Sequence, residues 1–217
     1  MKREIIITSD GSTTIHLPDW NEQYHSKHGA IQEAYHVFIK HGLQQLKTNE
    51  VSILEIGFGT GLNAFITLIE SSKKINYVGV EAYPVAVDEV QKLNYVSELK
   101  ADQYKEVFKK LHQVSWEEKH QITDSFFLTK REQFFKDIKD EHTFNLIYFD
   151  AFGARVQPDL WTEEIFKKMY VALKPKGILV TYSAKGSVRR AMESVGFSVE
   201  RLPGPPGKRE MLRAIKN

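Results

Sequence analysis

The order of elements predicts an α/β domain: a mostly parallel sheet with helices on both faces and an antiparallel last strand. Three observations carry this. Apolar runs too short for helices alternate with segments of helical period, "VSILEIG", "INYVGVEAY", "FNLIYFD" and "GILVTYS" being the clearest runs. Three glycines at alternate positions, Gly57, Gly59 and Gly61, interrupt the chain just after the first of them. Finally, "FSVERL" and "REMLRAIK" are separated only by "PGPPGK", too short for a parallel crossover, so the last strand must run antiparallel.

In order, "REIIITSDGSTTIHL" reads as two short strands around the turn "SDG", and "AIQEAYHVFIKHGLQQL" carries apolar residues at helical spacing. "VSILEIG" is then a strand and "LNAFITLIESS" a helix; "INYVGVEAY" is a strand and "PVAVDEVQKLNYVSEL" a helix opened by Pro84. A charged helical stretch runs from Ala101 to His120. "DSFFLT" is a short strand and "KREQFFKDIKD" a helix; "FNLIYFD" is a strand and "TEEIFKKMYVALK" a helix with Thr162 at its N-cap. "GILVTYS", the helix "GSVRRAMESVG" and the two final strands complete seven strands. Residues 1–45 read as an N-terminal extension and residues 46–217 as the main domain. A mostly parallel sheet closed by an antiparallel strand is the shape of the class I, Rossmann-like, S-adenosylmethionine-dependent methyltransferases.

Composition sets limits on function. The chain has 217 residues, 41% hydrophobic and 27% charged, ordinary for a globular domain with a sizeable core. It has no cysteine, which excludes disulfides, thiol catalysis and cysteine-ligated metals. No run has the length of a membrane span, and "MKREIIITSDG" lacks the apolar stretch of a signal peptide, so a cytoplasmic protein is expected. Net charge is +2 but unevenly spread: from Lys185 to Asn217 there are eight basic and three acidic residues, a balance of +5 against −3 for the rest. Such an end suits an anionic partner, or is simply a solvated face. Five of the eight histidines fall among the first 41 residues, but "HSKH" has only loose ligand spacing and no supporting acid cluster, so no metal is expected.

In such sheets ligands bind outside the carboxyl ends of the strands, at the switch point of strand order. The turn Gly57–Phe58–Gly59–Thr60–Gly61 is placed there, and glycine there permits positive φ and close backbone approach. A dinucleotide fingerprint wants a third glycine where Leu62 stands, so nicotinamide and flavin nucleotides fit poorly. S-adenosylmethionine makes no such demand. An acid just before the turn, Glu55, either caps it or contacts the ligand. Glu81 ends the next strand, 24 residues beyond Gly57, where a carboxylate can accept both ribose hydroxyls. Asp150 follows the apolar strand "LIYF" and borders the same crevice. Methyl transfer from a sulfonium mainly needs position and a place for the proton, and a carboxylate at Asp150 can hold an acceptor amine and take its proton. Phe152 either walls the site or packs.

Four stretches, "EIGFGTGLN", "FDAFGARVQPDLWTEEIF", "GSVRRAMESVGFSV" and "GKREML", with a weaker "YHSKHGAIQEAYHVFI", resemble the methyltransferase half of the bifunctional tRNA 5-methylaminomethyl-2-thiouridine biosynthesis proteins (MnmC-like). The resemblance implies methyl transfer from S-adenosylmethionine to the aminomethyl nitrogen on C5 of a tRNA wobble uridine. It implies that Gly57, Gly59, Gly61 and Asn63, with Phe58, Thr60 and Glu55 around them, line the donor, that Glu81 meets its ribose, and that Asp150 and Phe152 lie on the acceptor side. Arg189–Arg190 and Lys208–Glu210 fall in matching places, as tRNA contacts or site-shaping residues, or as a solubilising face and a strand-edge salt bridge. Three departures stand out. Nothing in the sequence encodes the family's flavin-dependent oxidase. "FFLTKREQFF" puts Thr129 and Lys130 where the family has Gly-Asp for the adenine amine. "DAFGAR" replaces "DGFAPA", bringing in Ala151 and Arg155. The alternatives are an amine methyltransferase acting on a small molecule or protein, and a donor-binding module without turnover.

Overall fold

The computed structural model describes residues 2–217. The chain opens with an antiparallel sheet of β1 (Glu4–Ile7), β2 (Thr13–Leu17) and β3 (Glu22–Gln23), followed by α1 (Ala30–Ala34), which continues through a wider helical turn to Lys40. Ala30, Ala34, Val37 and Phe38 bury into the same apolar cluster as the central strand, beside Ile53 and Tyr148.

The main sheet is built by β4 (Glu50–Ile56), β5 (Lys74–Glu81), β6 (Lys119–Gln121), β7 (Phe126–Glu132), β8 (Phe144–Phe149), β9 (Leu173–Thr181), β10 (Phe197–Pro203) and β11 (Glu210–Lys216), in the order β10-β11-β9-β8-β4-β5-β7-β6. The predicted α/β class and the antiparallel last strand hold: β11 opposes both β9 and β10. β4 lies between β8 and β5, and the order reverses there, so its carboxyl end opens on the switch point. Between the strands run α2 (Leu62–Glu70), α3 (Val87–Val90), α4 (Tyr95–Glu98), α5 (Lys105–Gln113), α6 (Glu163–Ala172) and α7 (Gly186–Ser194). One apolar cluster fills each face of the sheet.

Three expectations fail locally, each for a tertiary reason. The sheet has eight strands, not seven. The charged stretch read as helix to His120 ends as α5 at Gln113, turns at Glu117 (φ +65) and returns as β6, antiparallel to β7. "KREQFFKDIKD" is not a helix: β7 continues through Glu132, pairing Glu81 with Glu132, and only a single turn, Phe135–Asp137, follows. The charges of this segment are satisfied in the strand. Lys130, 1% exposed, donates to His112 O at 2.7 Å, and Arg131 grips Asp140 through both Nη atoms at 2.6 and 3.1 Å. "PVAVDEVQKLNYVSEL" forms two one-turn helices, because the side chain of Asn94 between them is spent on Thr13 N (2.7 Å) and Gly11 O (2.9 Å) of the N-terminal sheet. Thr162 does sit at the N-cap of α6, but its hydroxyl donates to Asp159 O and makes no cap bond.

Candidate active site

The turn after β4 uses all three glycines in the left-handed region, with φ of +89° at Gly57, +48° at Gly59 and +71° at Gly61. Gly57 N and Phe58 N both donate to Val80 O at 3.0 Å, binding the turn to the end of β5. A Cβ on Gly57 would stand 2.9 Å from Asp150 O, so the end of β8 can approach only glycine there. The ring of Phe58 takes the space above Gly79, where a Cβ would come within 2.3 Å of it.

Outside this turn opens a cavity of about 930 Å³. Of the sequence candidates, Gly57, Phe58, Gly59, Thr60 and Asn63 line it, as do Glu81, Asp150 and Phe152. Glu55 and Gly61 do not. Glu55 is 1% exposed behind the turn, and Gly61 starts α2 against the His112 ring. Glu81 accepts from Gly59 N and Tyr83 N, each at 3.0 Å, and burial raises its proton affinity above the ordinary carboxylate range. The Thr60 hydroxyl accepts from Tyr95 at 3.0 Å.

Asp150 leaves β8 with its backbone N–H on Ile56 O at 3.0 Å. Its Oδ2 accepts from Asn63 Nδ2 at 2.8 Å. Protein encloses the carboxyl everywhere except its cavity side. Burial, with the Glu33 carboxylate adding to it, pushes its pKa up to about 7, while the Asn63 bond and the Lys208 ammonium work the other way. Lys208 is paired with Glu33 and lies 3.7 Å from the centroid of Tyr182, whose hydroxyl donates to Ala151 O at 2.8 Å. The "KRE" segment is thereby tied to the Asp150 loop.

The N-terminal sheet supplies a wall that sequence reasoning missed. Trp20 and Tyr24 line the cavity and meet the Phe152 ring edge-on, at centroid distances of 5.8 and 5.0 Å. Arg3 also lines it, donating to Glu89 at 2.9 Å and to Tyr83 O at 3.0 Å. The aromatic run "DWNEQYHSKH" was the available signal. Arg155 is exposed and staples the Asp150 loop to this wall, on Asn21 O (3.2 Å) and Glu22 (3.1 Å). Lys130 is not at the cavity; Phe134, Phe135 and Lys136, beyond the true end of β7, are. Tyr83 and Phe134, 61% and 50% exposed, meet edge-to-face at the mouth. The lining carries five carboxyls (Glu81, Asp88, Glu89, Asp150, Asp159) against two cations (Arg3, Lys136), although the chain is net positive. Among the described residues no three histidine or acidic side chains gather as a metal site, and no helix is long and apolar enough to cross a membrane.

This is the sheet order and cavity of a Rossmann-like methyltransferase, and the chain belongs to a family of S-adenosyl-L-methionine-dependent methyltransferases, whose family model matches residues 91–217. It is similar to the tRNA 5-methylaminomethyl-2-thiouridine biosynthesis bifunctional protein MnmC of Marinomonas sp. (strain MWYL1), 29% identical over 90% of this chain and 31% of the relative. It is also similar to the protein of that name from Burkholderia mallei (strain SAVP1), 27% identical over 96% of this chain and 34% of the relative. The chain thus spans about a third of the length of these curated relatives. Its fold matches the crystal structure of MnmC2 from Aquifex aeolicus with a TM-score of 0.80, at 23% identity, covering 100% of this chain and 70% of that one. A spermidine synthase in complex with the transition state analogue AdoDATO shares the fold at a TM-score of 0.59 and 16% identity, over 100% of this chain and 75% of that one.

Proposed function

We propose that the cavity binds S-adenosylmethionine and that Asp150 presents an acceptor amine to it, the acceptor being the aminomethyl group on C5 of a tRNA wobble uridine. The observation that carries the reading is the convergence of the glycine turn, Glu81 and Asp150 on one carboxylate-rich cavity. The donor fits what is there. Its volume class is that of small-molecule sites, roughly 300–1,000 Å³. Its positive charge suits a lining with five carboxyls and two cations. Its close approach suits a turn without Cβ atoms. In this reading Glu81 meets the ribose, and the rim rings of Tyr83 and Phe134 meet the adenine in place of the acid expected near Lys130.

When bound, the donor supplies a methyl group on a sulfonium that is already a good leaving group. The protein's part is position and a proton site. Asn63 ties down Asp150 Oδ2, and no hydrogen bond reaches Oδ1 among the described residues, so Oδ1 is left to accept from an amine N–H. With a pKa of about 7, Asp150 can take up the proton and release it near neutrality. Trp20, Tyr24 and Phe152 screen that side from water. A donor-binding module without turnover gives Asp150 no work, and the loss of turnover argued in the Discussion separates the two.

The tRNA partner is supported by the relatives' names and by charge. Most of the C-terminal basic residues are internally committed: Arg189 to Glu193, Arg201 to Glu210, Lys208 to Glu33, Arg213 to Glu200, and Lys216 to Leu173 O. Among the described residues Lys185, Arg190 and Arg209 are exposed without an acid in salt-bridge reach. Phosphate contacts release counterions, so log affinity falls linearly with log salt by about 0.7–0.9 per contact. Replacing these three by Gln is expected to flatten the slope by about two units for all tRNAs alike, measured by filter binding across salt concentrations. Arg189→Gln, by contrast, is expected to change it little. An unmoved slope in the triple variant makes this face a solvated one and favours a small-molecule or protein amine as the acceptor.

The donor turn also makes a prediction at a residue outside the cavity. Gly79→Ala puts a Cβ into the Phe58 ring. Overpacking of this kind costs about 1–3 kcal/mol, and the only relief is to move Phe58 and the turn with it. A lower Tm together with roughly tenfold weaker donor binding by calorimetry is expected; a lower Tm with unchanged affinity would uncouple Phe58 from the turn.

A further inference from the structure

Inward of Asp150 the wall continues as a short polar chain. Asn63, 3% exposed, lies between two carboxyls, its Nδ2 donating to Glu55 Oε1 at 2.9 Å and to Asp150 Oδ2 at 2.8 Å. Both protons of one amide are thus spent. Asn63 Oδ1 and Glu55 Oε2 are buried without a geometric hydrogen-bond partner, and the Tyr77 hydroxyl lies beside Glu55. Glu55 faces none of the cavity, which leaves the acid of the glycine motif without contact to anything bound there.

We propose that Glu55 and Asn63 are positioning residues for Asp150: Glu55 fixes the Asn63 carboxamide, and Asn63 fixes Asp150 Oδ2, so that Oδ1 is the oxygen that meets the acceptor. The proposal rests on the reading of Asp150 given above. A carboxamide held only by Asp150 could turn its own oxygen toward that carboxylate; a second acceptor on the same nitrogen forbids it. Two ionised carboxylates sharing one amide would repel each other in a poorly solvated site. Burial raises the Glu55 pKa well above the ordinary carboxylate range, which favours its neutral form. A proton on Oε2 finds the Tyr77 hydroxyl beside it. The groups that bear on Asp150 are Glu33 of α1, Glu55 of β4, Asn63 of α2, Tyr77 of β5, Tyr182 past β9 and Lys208 between β10 and β11; those that bear on Glu55 are Tyr77 and Glu81 of β5, Tyr148 of β8, Asn63 and Asp150. Of these only Asn63 hydrogen-bonds both carboxyls.

The test uses Asn63→Ala, Glu55→Leu and Glu55→Gln, with kcat/KM measured against pH and S-adenosylmethionine binding by calorimetry. A lost hydrogen bond to a carboxylate favours its protonated form. Asn63→Ala and Glu55→Leu are therefore expected to move the acidic limb of kcat/KM up by about one pH unit and to lower kcat at pH 7 about fivefold. In the two Glu55 variants donor affinity should stay within about threefold, since Glu55 does not line the cavity. Glu55→Gln keeps an acceptor for Asn63 and a donor for Tyr77, and restores the wild-type limb. Where Asn63→Ala does not fold, the ¹³C titration of the Asp150 carboxyl in Glu55→Leu against Glu55→Gln reads the same shift without turnover. Donor binding tenfold weaker in Glu55→Gln would make Glu55 a charged donor ligand and overturn the proposal, as would an unmoved limb in Asn63→Ala. Full turnover in Asp150→Asn removes the reading of Asp150 and the brace together, whereas failure of the brace alone leaves Asp150→Asn inactive.

Discussion

Gly57→Val is expected to abolish S-adenosylmethionine binding. Two independent obstacles act at this one position. The residue holds φ at +89°, which a β-branched side chain adopts only under strain, at a cost of order 1–3 kcal/mol. A Cβ would also stand 2.9 Å from Asp150 O, and that atom is backbone, which cannot swing aside. Relief requires β4 and β8 to separate at their carboxyl ends, where the cavity is. Calorimetry should show donor affinity falling by at least two orders of magnitude while the β-sheet signal in circular dichroism persists. Gly59→Val carries the same kind of backbone strain, at φ +48°, but its steric obstacle is the edge of the Tyr24 ring at 3.0 Å, a side chain able to move, so a smaller loss is expected. Near-wild-type affinity in Gly57→Val would place the donor elsewhere.

Asp150→Asn is expected to lower kcat by about two orders of magnitude, the scale of losing a positioned proton acceptor, with a much smaller change in donor affinity. The pH dependence follows from the same carboxyl. With its pKa raised to about 7, the active carboxylate form disappears as pH falls through neutrality, so the wild-type profile should have an acidic limb near pH 7 that the variant lacks. Stability moves the opposite way. A carboxyl that binds its proton more tightly folded than unfolded loses stability as pH rises from its unfolded pKa through its folded one. Asp150→Asn should therefore raise Tm at pH 8, relative to wild type, while removing turnover. That pairing separates a functional loss from misfolding. A collapse of donor binding with unchanged turnover per bound donor would make Asp150 a donor ligand instead.

The parts of the site that could be read from the sequence are those set by local chemistry. Gly57, Gly59 and Gly61 are all at positive φ, and Asp150 and Glu81 are both at strand ends on the cavity, because a glycine-dense turn after an apolar run and an acid after one are short-range signals. What escaped depends on partners distant along the chain. Lys130 and Arg131 read as the start of a helix, yet they lie in a strand, where His112 O, 18 residues back, and Asp140 receive them. The resulting shift of the strand end puts Phe134, and not Lys130, at the cavity. Arg3 meets Glu89 across 86 residues, and the Trp20–Tyr24–Phe152 contacts join the N-terminal sheet to a loop past β8; no periodicity encodes either. Asn63 reads as part of the donor turn and lines the cavity, but its amide is committed to Glu55 and Asp150, which only the packing of α2 against β4 and β8 brings within reach.

The central claim is methyl transfer to an aminomethyl uridine in tRNA. The most direct measurement incubates the protein with S-adenosylmethionine carrying a deuterated methyl group and tRNA bearing 5-aminomethyl-2-thiouridine, followed by mass spectrometry of the digested nucleosides. The account predicts a nucleoside heavier by one deuterated methyl group, located on the aminomethyl nitrogen, formed by the wild-type protein and lost with Asp150→Asn. Label absent from the tRNA, but present in a small amine or in protein offered in the same reaction, would contradict it.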